Sequence, residues 1–229
     1  MTVFVSSRKF TSCWMGYASR NSGCFWHAQH EFVEAERTIL GRKDDELTAR
    51  AGYAGGKLGA GENGKVCYHN ALNIADYGKL GHAEVVAVSI PPSKFRDFAV
   101  EYCKLFKNGL RPDQNGDRGL EYRNVVGLKG GSKSPLAMEL IEAIKQTGDQ
   151  LDLAVGKGSD KDIPRLAWIM DTDQYPFFIA EQYHQFHDGF NIGENYPNKY
   201  NNLAKMFADK KENFGTCPNG LIGVGIGGL

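Results

Sequence analysis

The chain has 229 residues, 41% of them hydrophobic and 24% charged, a globular composition that excludes disordered and fibrous classes and suffices to bury a core. Lys plus Arg and Asp plus Glu number 27 each, so no net positive field gathers nucleic acid or anionic lipid. The longest uncharged run, Phe214 to Leu229, is broken by glycines and Pro218 and falls short of the ~18 apolar residues of a spanning helix; a soluble protein with no nucleic acid or membrane partner is expected.

Residues 1 to 30 hold no acid but carry Arg8, Lys9 and Arg20 among many Ser and Thr, the bias of an organelle transit segment. Residues 1–19 are therefore read as an N-terminal extension, and the compartment as cytoplasmic with mitochondrion or plastid as the alternative. Phe25, Ala28, Phe32, Ala35 and Ile39 line one helical face that Gly41 stops, which puts Cys24 at or just before a helix N-terminus. Leu47 to Tyr53 alternates as a half-buried strand, and Glu84 to Ile90 reads as a more fully buried one stopped by Pro91-Pro92. Ser93 is the expected cap of a helix bearing Phe95, Phe98, Tyr102 and Leu105 and closed by Asn108-Gly109. A strand at Tyr122 to Leu128, a helix opened by Ser134-Pro135 and closed by Gly148, and strands at Leu151 to Val155 and Leu166 to Met170 follow. Helices and strands interleave without a linker or repeat, so residues 20–229 are read as one domain of helices on a mixed sheet, ending in an irregular coil over 190–229.

The five cysteines, Cys13, Cys24, Cys67, Cys103 and Cys217, are odd in number, scattered, and without a Cys-x-x-Cys pair, which argues against a disulfide framework or structural zinc and fits a reducing compartment. In Gly23-Cys24-Phe25-Trp26 the free amides and positive dipole end of the following helix favour a thiolate; the alternative is a small buried hydrophobe. Glu84 ends an apolar strand, where desolvation would raise its pKa and suit it to deliver a proton; the alternative is a solvated strand-end carboxylate. Asp117 and Tyr122, five residues apart, read by themselves as a common turn. His27 and His30, and His184 and His187 with Glu181, repeat at helical ligand spacing, but nothing brings the pairs together and no metal is expected. GLKGGSKS at 127–134 is a near miss to a phosphate loop, and Gly223, Gly225 and Gly228 have no helix after them.

Taken in order, GCFW at 23–26, GYAGG at 52–56, GHAE at 81–84, GDRGLEYRN at 116–124 and AEQYHQ at 180–185 resemble peptide methionine sulfoxide reductase A. The resemblance implies a two-layer α+β sandwich with a ferredoxin-like mixed-sheet core and a long irregular C-terminal tail. It implies that Cys24 attacks the sulfoxide sulfur, that Glu84 protonates the oxygen with Asp117 and Tyr122 around it, and that Phe25 and Trp26 cradle the substrate methyl. The products are methionine, from the (S)-sulfoxide free or in proteins, and a Cys24 sulfenic acid, resolved by Cys217 and recycled by thioredoxin or another dithiol with no bound cofactor, in a monomer. A Cys24-Cys217 disulfide is the expected intermediate, with Cys67 or an external thiol as the other resolving routes. The chain departs from the family pattern at His27, Gln29 and Asn63, the last removing a site tyrosine for which Tyr68 or Tyr77 is a possible substitute. A Cys-His hydrolase or acyltransferase using His27 or His184, and a non-catalytic methionine-peptide binding module, are the competing readings.

Overall fold

The computed structural model describes residues 11–16, 24–61, 64–111, 118–188, 196–215 and 217. Its strands are β1 (Thr11–Gly16), β2 (Arg50–Ala54), β3 (Ala83–Ile90), β4 (Asn124–Leu128), β5 (Asp152–Val155), β6 (Leu166–Asp171) and β7 (Phe178–Ile179); its helices are α1 (Phe25–Leu40), α2 (Phe95–Lys104), α3 (Pro135–Thr147) and α4 (Asn198–Asp209). The strands form one seven-stranded sheet in the order β5-β6-β4-β1-β3-β2-β7. β1 runs antiparallel to both β3 and β4, and β2 antiparallel to β3 and β7, whereas β4, β6 and β5 are parallel. The α+β class with a mixed sheet is as the sequence suggests.

Two apolar layers hold the sheet. On one face Met15, Ala51, Tyr53, Val86, Val88, Val126 and Ile169 pack under Phe25, Phe32, Phe98, Leu140 and Phe207 of the helices. On the other, Trp14, Val85, Val125 and Met170 form a thinner cluster. α1 ends where expected, on Gly41 at φ 66, a left-handed position that costs glycine no side-chain clash. Ser134 caps α3 by accepting from the Leu136 amide. α2 starts later than the Ser93 cap suggests, because Pro92–Lys94 forms a 3-10 turn first.

Three expectations are corrected. The N-terminal extension read over 1–19 contains β1, which lies in the middle of the sheet with Cys13, Trp14 and Met15 buried. A strand covered on both faces loses the period-two pattern that would reveal it. The irregular coil read over 190–229 contains α4, whose Tyr200, Leu203 and Phe207 are buried at spacings of three and four; the Arg50 guanidinium lies 3.8 Å from the centre of the Phe207 ring and pairs with Glu212 at 2.6 Å. Tyr122 belongs not to β4 but to a 3-10 turn, Leu120–Tyr122, just before it. Among the described residues no helix is long and apolar enough to cross a membrane.

Arg123 joins the loops at the sheet's end. Its guanidinium is fully buried and donates to the carbonyls of Leu120 at 2.6 Å, Gly55 at 2.7 Å and Gly81 at 3.1 Å. Burial lowers its pKa to about 10, against the pull of Asp160 and Asp162. Gly55 (φ 78) and Gly81 (φ 80) hold left-handed backbone that turns their carbonyls toward this cation. Arg123→Met, which keeps the packing but strands three buried carbonyls, is expected to cost about 3–5 kcal/mol in urea unfolding. A cost under 1 kcal/mol would mean water replaces the guanidinium.

Candidate active site

Cys24 is the N-cap residue of α1, extended at φ −96 and ψ 147, and its side chain makes no capping bond to the helix. It is a half-buried thiol. The next amide, Phe25 N–H, donates to Oε2 of Glu84 at 3.0 Å. The helix start therefore holds a cysteine sulfur and a carboxyl within one residue of each other, with the positive dipole end acting on both. Glu84 comes from the second position of β3, where it faces the helical layer and pairs in register with Tyr53 of β2; it is 3% exposed. The Tyr77 hydroxyl donates to its Oε1 at 3.1 Å.

Tyr77 is fully buried and stacks on Tyr53 with centroids 4.7 Å apart. Burial, then the charge of Glu84, pushes its phenol well above the ordinary range, so it stays a proton donor. Of the two tyrosines considered as substitutes for the hydroxyl expected at position 63, Tyr77 bonds Glu84. Tyr68 points its ring at His184, 4.4 Å away. Asn63 and Asp117 lie outside the described residues. Tyr122 is half-buried in its 3-10 turn, close enough to Tyr77 for their charges to interact. The turn is braced by His69, whose ring nitrogens meet Asp76 at 2.9 Å and Glu121 at 3.1 Å; the bond to Glu121, then that to Asp76, raises the His69 pKa to about 9 against desolvation.

Phe25 and Trp26 continue from Cys24 into an aromatic wall. His184 lies 5.3 Å from Phe25 and 5.9 Å from Trp26, and His187 stacks on Trp26 at 4.0 Å with Tyr183 4.5 Å beyond. Tyr183 is within the field of Cys24, which adds to the upward push that burial gives its phenol. Burial drives the His184 pKa down to about 3, so its imidazole is neutral and a poor base. His27 Nδ1 meets the Tyr196 hydroxyl at 3.0 Å, and His30 stacks on Tyr196 at 3.9 Å. The histidine rings thus pack against Trp26, Tyr183 and Tyr196, and burial leaves His184 a poor base for the hydrolase reading.

Gln29, one of the departures, has a structural account. Its Nε2 donates to the Ala49 carbonyl and to Gln185 Oε1, each at 3.1 Å, while the Phe186 amide donates to its Oε1 at 2.6 Å. Gln185 in turn donates to Ala51 and Ala180 and accepts from the Ala51 amide. This neutral pair ties α1 to β2 and to the segment carrying His184, satisfying buried amides without a buried charge.

Cys217 is bonded to Cys67, with S–S 2.02 Å across 150 residues of chain, a pairing that the sequence reading did not anticipate. Cys67 is fully buried and Cys217 half-buried. Glu181, which the sequence offered as a helical neighbour of His184 and as part of the AEQYHQ segment, sits beside the sulfurs: its Oε1 accepts from the Tyr68 amide at 2.9 Å and its Oε2 from the Tyr53 hydroxyl at 2.8 Å. The phosphate-loop near miss is occupied by protein, since the Gly130 amide donates to Asp171 at 3.0 Å. Gly223, Gly225 and Gly228 lie outside the described residues.

The chain is similar to a peptide methionine sulfoxide reductase MsrA of Trichodesmium erythraeum (strain IMS101), 28% identical over 195 residues that take in 82% of this chain and 93% of that protein. It is similar to a protein of the same name from Yersinia pestis (strain Pestoides F), 27% identical over 172 residues, 71% of this chain and 65% of that one. A solved structure, methionine sulfoxide reductase A of Corynebacterium diphtheriae, superposes with a TM-score of 0.48 at 16% identity, covering 84% of this chain and 85% of that one. No family model matches the chain.

Proposed function

We propose that this chain is a member of the peptide methionine sulfoxide reductase A family, to two proteins of which it is 28% and 27% identical, and that it reduces methionine-(S)-sulfoxide, free or in proteins, through a sulfenic acid on Cys24. The observation that carries this reading is the 3.0 Å bond from the Phe25 amide to Glu84, because it seats a nucleophile and a proton donor at one helix end. Two anions there would repel, so the pair holds a single proton, and the reading requires that Glu84 carry it when the thiolate attacks. The thiolate attacks the sulfoxide sulfur, Glu84 gives its proton to the oxygen, and that oxygen ends on Cys24 as the sulfenic acid while methionine leaves. Tyr77 holds Glu84, Tyr122 and Asp117 complete the oxygen's surroundings, and Phe25 and Trp26 receive the methyl. The antiparallel order β4-β1-β3-β2 under α1 and α2 supports a ferredoxin-like core around this site.

The Cys67–Cys217 bond supports a three-cysteine relay. The Cys217 thiol condenses with the sulfenic acid, forming Cys24–S–S–Cys217 and water; the Cys67 thiolate then displaces Cys24, which leaves as its thiolate. Thioredoxin or another dithiol supplies both electrons at the less buried Cys217 sulfur, with no bound cofactor, and the protein acts as a monomer. The test is epimer-resolved loss of methionine sulfoxide with dithiothreitol. Loss of the S epimer alone is expected; loss of neither, or of R, overturns the reading. One equivalent of substrate added to the reduced protein should give Cys67–Cys217 in peptide maps, and Cys67→Ser should trap Cys24–Cys217 after a normal first turnover. A lasting sulfenic acid in the wild-type protein would mean that external thiols resolve it.

A further inference from the structure

We propose that Glu181 is the proton carrier of the Cys67–Cys217 pair, taking the thiol proton when the disulfide closes and returning it when the disulfide opens. The inference rests on the three-cysteine relay and assigns it a base that the cysteines by themselves lack.

The placement is specific. One carboxylate oxygen of Glu181 and the Sγ atoms of Cys67 and Cys217 all lie within 4.8 Å of one another. Two backbone features bring them together. Glu181 forms a parallel bridge with Gly215, two residues before Cys217, and accepts the amide of Tyr68, the residue after Cys67. The carboxylate is thus joined to both cysteine segments, and each of its oxygens already holds one donor, Tyr68 N–H or Tyr53 O–H.

The chemistry needs such a group. Cys13 and Cys103 show what this core does to a buried thiol: burial raises each to about 12. Cys67 is 0% exposed, and a thiol so placed is inert unless a base beside it removes the proton. Glu181 is suited to exchange that proton, since burial raises its own pKa against the opposing bonds from Tyr68 and Tyr53. The groups facing it are Tyr53 from β2, the Tyr68 amide and Cys67 from the loop after residue 64, and Cys217 from the tail. Glu84 lies across Tyr53, and the neutral His184 is on the same turn.

In the closing step the Cys67 thiol passes its proton to the Glu181 carboxylate. The thiolate forms a bond to the Cys217 sulfur, the Cys24–Cys217 bond breaks, and Cys24 departs with the electron pair. Cys67 is oxidised, Cys24 is reduced, and Cys217 stays at the disulfide level throughout. In the reverse sense an external dithiol attacks Cys217, and protonated Glu181 quenches the departing Cys67 thiolate.

The experiment removes sulfoxide chemistry, so that a failure of the reductase reading and a failure of this one are distinguishable. In full-length protein carrying Cys24→Ser, closure of Cys67–Cys217 by oxidised glutathione is followed from pH 5 to 9.5. With Glu181 present the rate should climb as the carboxyl ionises, well below the pH at which ordinary thiols titrate. With Glu181→Gln it should fall about 100-fold at pH 7, and the deficit should shrink steadily toward pH 9.5 as a growing fraction of the thiol ionises unaided. A slowing that persists equally at every pH would mark Glu181 as structural, and unchanged rates at pH 7 would equally overturn the proposal. Should the glutamine variant not fold, Tyr53→Phe serves: losing a donor that favours the carboxylate should move the rise to higher pH, and an unmoved profile counts against the role.

Discussion

Cys24→Ser is expected to abolish single-turnover formation of methionine from its (S)-sulfoxide, with the other four cysteines intact. The expectation follows from position. Cys24 alone among the thiols caps a helix, where the α1 dipole and its first amides stabilise negative charge. Cys13 and Cys103 are held as thiols at pKa values of about 12 by burial, and Cys67 and Cys217 are bonded to each other beside Glu181. The same geometry predicts that iodoacetamide alkylates Cys24 at pH 7 faster than an unperturbed thiol with pKa near ~8.5. Turnover in the serine variant near that of wild type would end the assignment, whichever residue had taken over.

Glu84→Gln should slow the chemical step by roughly two to four orders of magnitude, the usual range for a positioned general acid. Glutamine is a close isostere here. Its carbonyl oxygen can still accept the Phe25 amide, and its amide can turn toward the Tyr77 oxygen, which then accepts instead of donating. Substrate binding and the melting temperature should therefore change little while the rate collapses. Single-turnover stopped flow separates the two quantities, and an unchanged rate would show that Glu84 only fastens the helix start.

How much of this was legible beforehand varies from residue to residue. The cap position of Cys24 and the left-handed stop at Gly41 are local, set by a 3.6-residue apolar period and a glycine, and α1 forms where those signals put it. The Tyr77 contact with Glu84 was not legible, although the two residues are only seven apart. A tight loop, in which the Tyr77 amide donates to the Cys67 carbonyl and the His82 amide to that of Tyr77, folds the hydroxyl back onto β3. No periodicity encodes such a loop.

Amphipathic period, capping residues and the order of short motifs determine, from the sequence by itself, the helices α1 and α3, the α+β class and the candidacy of Cys24 and Glu84. Their causes lie within a turn or two of chain. Only the tertiary structure decides that β1 is central, that Arg123 joins the Gly55 and Gly81 loops, and that Cys67 pairs with Cys217 beside Glu181. Those arrangements depend on contacts between residues 40 to 150 positions apart, and burial on both faces erases the alternation that marks a half-exposed strand. A buried polar group declares its partner only once packing has removed the water that would otherwise serve it.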